Sequence, residues 1–197
     1  MTDQKRPRVP PLERDQWPAH YAALLDATVP QTNGMEAGPT SGGQRPVGML
    51  RVLANHSQVM EPFITWSTFV AHGALGRREH ELAALRAIWL LRSEFEYGHH
   101  VAYARGAGLS EEEIEGVRVG PSWPHWNELD RALVSAADEL LDTSKISDAT
   151  WAVFERELTL DQRIEVPITV GQYTMLSFVA ESLGVELEDG YERLPTP

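Results

Sequence analysis

Residues Arg78 to Gly108 read REHELAALRAIWLLRSEFEYGHHVAYARGAG, and the fold turns on them. From Glu79 to Leu91 most positions are apolar, the pattern of a helix buried on most sides rather than along one stripe. Ser93 then precedes Glu96 at the spacing of a capping box. A second helix is therefore expected to start at Ser93, with a break near Arg92. That helix ends at Gly108, where a glycine followed by apolar Leu109 suits a left-handed C-terminal cap.

On the second helix the spacing of three, four and seven places Ser93, Glu96, Tyr97, His100, Tyr103 and Ala104 in one stripe. Glu96 and His100 stand at i and i+4, so the carboxylate can fix the imidazole tautomer and favour its charged form. Glu81, on the preceding helix, shares a face with Ala84, Leu85 and Ile88, so its carboxyl is either paired or poised. His99 points about 100° away from His100 and is expected to serve packing or an interface. Adjacent histidines diverge on a helix and no H-E-x-x-H spacing occurs, so no metal site is expected.

The order R-E-x-E-L-x-x-L-R, then S-x-x-E-Y-x-x-H-x-x-x-A-x-x-x-G-L-S, resembles the carboxymuconolactone decarboxylase family, which includes the alkylhydroperoxidase-D-like thiol peroxidases. The resemblance runs from about Pro46 to about Leu187, its motif from Arg78 to Glu113. Against the Cys-x-x-Cys of the peroxidase branch, Ser93 and Glu96 occupy the two cysteine positions, while His100 and Glu81 match the branch's His and Glu. The resemblance implies an all-α, AhpD-like helical bundle with a central antiparallel helix pair, needing no cofactor and forming homo-oligomers. It leaves the decarboxylase branch, which has Glu and an aromatic residue before the His.

Composition sharpens this. The chain has no Cys, which removes disulfides, thiolate nucleophiles and thiol peroxidation. A net charge of -12 repels phosphate backbones, so nucleic acid is not an expected partner. With 42% hydrophobic and 23% charged residues the chain reads as globular, no apolar run reaches membrane-span length, and the amino terminus lacks the apolar core of a secretory signal. A cytoplasmic protein is expected.

In chain order, residues 1–13 are expected to be a flexible arm, 14–187 one helical domain, and 188–197 a tail. A short helix covers Arg14 to Ala27. The Gly- and Pro-rich run 28–47 is a loop or lid. Helices follow over Val47–Asn55 and Ser57–His72. Ser110 with Glu113 caps a helix to Val119, Asn127 to Leu141 is amphipathic, Ser147 caps a helix through Glu157, and Thr159 with Gln162 caps a last one through Leu183, kinked at Pro167. No useful strand pattern appears, which again gives an all-α class.

The expected function is a cofactor-independent lyase or decarboxylase acting on a small organic acid or lactone. His100 is the expected proton donor, with Glu81 and Glu96 as relay and orienter. Tyr97, Ser93, Arg86, Tyr103, Trp66 and Tyr173 are the candidate substrate contacts. An isomerase, dehydratase or cyclase on a bulkier metabolite uses the same pair, and a non-catalytic oligomeric binding protein is the alternative from another class. Because the Glu79–Leu91 helix is apolar on most faces, it is expected to need covering by a second subunit, in a dimer or trimer, with a hexamer as the larger assembly.

Overall fold

The structure, a computed structural model, describes residues 7–21 and 48–196. The expected lid over 28–47 and the end of the expected 14–27 helix lie outside the described residues, and the expected helix start is instead a 3-10 turn at Arg14–Gln16. Eight α-helices and no strand are found among the described residues. They are α1 (Gly48–Leu53), α2 (Met60–Ala71), α3 (Arg77–Leu91), α4 (Glu94–Gly106), α5 (Glu111–Val119), α6 (Glu128–Thr143), α7 (Asp148–Glu157) and α8 (Leu160–Leu183). None is long and apolar enough to cross a membrane.

The centre is the α3–α4 hairpin. Leu82, Ala83, Ala84, Leu85, Ala87 and Ile88 are all at most 1% exposed, and each fully buried Leu or Ile contributes roughly 1.5–3 kcal/mol. The chain itself covers α3, with α4, α5, α6 and α8 packed around it. The reason given for a partner subunit is thereby corrected, because the chain itself buries every residue of α3 from His80 to Ile88. Between the two helices Arg92 takes a left-handed conformation, φ 57°, and reverses the chain. At the far end of α4, Gly108 has φ 91°, and the Leu109 amide donates to the Ala104 carbonyl at 3.0 Å. That is the expected left-handed cap.

Capping residues set the remaining boundaries where the sequence places them. Ser110 and Glu113 form a complete capping box, as do Thr159 and Gln162, and the side chains of Asn127 and Ser147 accept from the first turns of α6 and α7. Helix α8 runs through Pro167 without interruption. After it the chain turns back along α4, where Arg193 lies 3.6 Å from Glu94 and Glu192 lies 2.7 Å from Arg105.

Candidate active site

Helices α3 and α4 bring Glu81 and His100 together. Glu81 Oε2 lies 2.7 Å from His100 Nδ1. The two residues are 4% and 2% exposed, so the contact is shielded from water. The other ring nitrogen, Nε2, stands 3.7 Å from Glu96 Oε2, one turn back on α4. Two carboxyl groups thus flank one imidazole, and only Glu81 is within hydrogen-bond distance.

Burial disfavours the His100 imidazolium, but the charge of Glu81, its hydrogen bond and the charge of Glu96 outweigh this, and the His100 pKa is raised. Glu96 is shifted upward too, because its burial outweighs the pull of His100 and His99. Glu81, Glu96 and His100 thus form one buried acid-base cluster drawn from both arms of the hairpin.

Helix α8 supplies a wall. The Tyr173 ring meets His100 at 74°, with centroids 4.2 Å apart, and its hydroxyl lies 2.9 Å from His80 Nε2. Burial, reinforced by Glu81 and Glu96, pushes the Tyr173 phenol well up, so its hydroxyl stays protonated and donates. Burial lowers His80 to about 4, leaving a neutral ring whose Nε2 accepts. Tyr103 stands edge-on to His100 at 5.3 Å.

Ser93 departs from expectation. It is the N-cap of α4, yet its side chain makes no capping bond, and its Oγ is buried without a hydrogen-bond partner. Glu96, the expected partner of a capping box, is turned toward His100. The helix is instead capped from outside, since the Glu94 amide donates to Glu181 Oε1 on α8 at 3.0 Å. Ser177, one turn after Tyr173, also buries an unpartnered Oγ.

The other candidates stand elsewhere. Arg86 donates to both carboxylate oxygens of Asp138, at 2.5 and 2.9 Å, and to the carbonyls of Val117 and Arg118. Tyr97 packs against Trp89 at 6.0 Å. Arg92 sits over the Trp89 ring at 4.3 Å and donates to the Pro195 carbonyl. Trp66 is 44% exposed, donates to Gln172 at 2.9 Å, and lines a surface hollow of about 660 Å³ with Pro62, Thr65 and Phe69. A second hollow of about 490 Å³ lies between α4 and Tyr191. His100 lines neither. His99 holds Glu188 at 2.8 Å and stacks near Tyr191 at 4.2 Å. Sequence reasoning missed His80 and Ser177. His80 lies one residue before Glu81, which is the signal that was available.

Together the hairpin and the buried His between two carboxyl groups make up the candidate site, in a chain that has no Cys. Residues 58–139 match the model of the Carboxymuconolactone decarboxylase family, the same family that the α3–α4 motif resembles. Among curated proteins none matches the sequence. Among solved structures the chain is similar to an uncharacterized peroxidase-related protein from Silicibacter sp. TM1040, at 16% identity and TM-score 0.76, covering 97% of each chain. It is also similar to the debrominase Bmp8, a variant of which was solved in complex with 2,3,4-tribromopyrrole, at 15% identity and TM-score 0.73, covering 95% of each chain. An uncharacterized peroxidase-related protein from Ralstonia eutropha JMP134, described as an alkylhydroperoxidase AhpD core, is 17% identical with TM-score 0.69, covering 92% of this chain and 95% of that one. At these identities the likeness shows the fold.

Proposed function

We propose that this chain is a cofactor-independent acid-base enzyme of lyase or decarboxylase type, acting on a small organic acid or lactone through His100. The supporting observation is the 2.7 Å contact of the buried Glu81 with His100 Nδ1. Glu81 accepts the Nδ1 proton, which fixes the tautomer and leaves Nε2 to exchange a proton with substrate. In decarboxylation the bond to the carboxylate carbon breaks, carbon dioxide leaves, and the electron pair stays on the adjacent carbon, delocalised into a neighbouring carbonyl. The His100 imidazolium gives its Nε2 proton to that carbon and is reprotonated from solvent. Glu81 stabilises the cation, and Ser93, Tyr103 and Tyr173 are the side chains we assign to substrate contact. A positioned proton donor contributes about 10²–10⁴ in rate.

A second assignment, to an isomerase, dehydratase or cyclase, is favoured by Glu96. A carboxyl with raised pKa beside Nε2 can take up the proton that His100 removes and return it elsewhere on the same molecule. A third, to a binding protein without turnover, is favoured by the enclosure of His100, which lines neither surface hollow.

Mass spectrometry of candidate lactones and enolisable acids incubated with wild-type protein and with His100→Ala separates the three. Loss of carbon dioxide abolished by His100→Ala supports the first, and an isobaric product abolished by it supports the second. Turnover that survives His100→Ala refutes both.

A further inference from the structure

The hydroxyls of Ser93 and Ser177 are buried and make no hydrogen bond. The two residues are 0% and 1% exposed, and the Oγ atom of each lies without a partner. A buried hydroxyl left unpaired costs stability, and both side chains forgo a bond that helix geometry offers. Thr174, on the same helix as Ser177, returns its hydroxyl to the Val170 carbonyl four residues back at 2.8 Å, whereas Ser177 makes no such bond. Ser93, as an N-cap, would ordinarily accept from the Phe95 or Glu96 amide, and it does not.

Both hydroxyls belong to one seam between α4 and α8. On α8 the Tyr173 ring packs on His100, and Glu181 accepts from the Glu94 amide. Ser177 stands four residues from each, so it faces α4 between these two contacts, across from the first turns. On α4, Ser93 and His100 stand two turns apart on one stripe, about 10 Å along the axis. The imidazole closes part of that span, because side chains lean toward the helix N-terminus and His100 Nε2 reaches back to within 3.7 Å of Glu96 Oε2. The Phe95 and Glu96 amides have no acceptor inside their own helix and lie at its positive end. Of the carboxyl groups beside them, Glu181 is engaged by the Glu94 amide, and burial raises Glu96 toward its neutral form, itself a donor.

Hydroxyl and amide donors at a helix N-terminus suit an oxygen that gains negative charge during a reaction. The acid-base reading of His100 supplies such an oxygen. As carbon dioxide leaves, the electron pair of the broken bond moves into the neighbouring carbonyl, and its oxygen becomes an enolate oxygen. As the carbon takes the proton from His100 Nε2, the pair returns and the oxygen is a carbonyl oxygen again. That carbon and that oxygen are separated by a single atom, so the proton donor and the oxygen donors of one seam serve one small group. The burial of Ser93 and Ser177 increases what each donor contributes.

We propose that Ser93, Ser177 and the first-turn amides of α4 form an oxyanion subsite, which takes the carbonyl oxygen of a substrate that reacts at the adjacent carbon, a β-keto acid in the decarboxylation. This rests on the acid-base role of His100 and narrows its substrate to a class. Acetylacetone, a small β-diketone that forms an enolate without losing carbon dioxide, is the probe, with enolate absorbance as the readout. Wild type should bind it as the enolate. Ser93→Ala and Ser177→Ala should each lose about tenfold or more in affinity, yet unfold at or above the wild-type temperature, because each removes a buried unpaired hydroxyl. A wild type that does not bind the enolate overturns the proposal. So does wild-type affinity in either variant, and so does lost affinity with a lower unfolding temperature, the mark of a merely structural serine. Turnover of a β-keto acid that His100→Ala abolishes and both serine variants keep in full would refute this subsite and leave the role of His100 standing. Enolate binding that needs both serines, beside turnover that survives His100→Ala, would refute that role and leave the subsite.

Discussion

His80 and His100 lie on one network but titrate in opposite senses. The folded pKa of His80 is lowered from 6.5 to about 4 by burial. Its neutral form therefore contributes stability that is complete above the ordinary value and is lost as pH falls toward 4, about 3 kcal/mol across the window at most. The folded pKa of His100 is raised, so its contribution is complete below pH 6.5 and is lost as pH rises through the folded value. Denaturant unfolding of wild type and His80→Gln between pH 7.5 and 4 checks the first statement. The glutamine keeps an acceptor for Tyr173, and the variant should gain on wild type as pH falls, whereas parallel curves would contradict the burial of a neutral His80. Glu96 and His100 were legible in the sequence through their i, i+4 spacing, and Glu81 through its place on an apolar helix face and through the family resemblance. His80 was marked only by its place beside Glu81, since its partner Tyr173 lies 93 residues away. The hydroxyl of Ser177 was hidden in the same way.

At the scale of elements, the same capping spacing succeeds three residues before Glu113 and Gln162 and fails three before Glu96. The first two pairs are exposed and bond their own helix ends. Ser93 and Glu96 face the interior, where His100 competes for the carboxyl and Glu181 of α8 takes over the cap. Arg86 illustrates the reverse case, a charged residue on an apolar helix that sequence alone cannot assign to substrate or to scaffold. Its bonds to Asp138 and to the end of α5 tie α3, α5 and α6 together. Asp138→Ala should cost about 3 kcal/mol, since it leaves the buried Arg86 cation unpaired, and Arg86→Ala should cost less. Asp138 is itself one-third exposed, so solvent screening reduces the value of the pair. Urea midpoints measure this. A raised KM with an unchanged midpoint in Arg86→Ala would return that residue to the substrate. Gly108, at φ 91°, holds the end of α4, and Gly108→Ala should cost about 1 kcal/mol or more in the same assay.

Across the whole molecule, the periodicity of the sequence was sufficient for an all-helical class, and the family resemblance for a bundle around a central helix pair. It could not show which helix is covered by the chain and which is left bare. The apolar run of α3 looked in need of a partner, yet four neighbouring helices enclose it, while the bare face belongs to α8, where Leu160, Ile164, Met175 and Phe178 are exposed. A helix apolar on two faces and a helix apolar all round look alike until their neighbours are placed. The same enclosure keeps water from the Glu81–His100 pair and lets one carboxylate dominate an imidazole. The pKa of His100 in the folded protein, followed by NMR of its ring protons in wild type and in Glu81→Gln, tests this most directly. The account predicts a wild-type value above the ordinary 6.5 that falls below 6.5 in the variant, where burial acts without its main counter-charge. A wild-type value at or below 6.5, or one unmoved by Glu81→Gln, would contradict it.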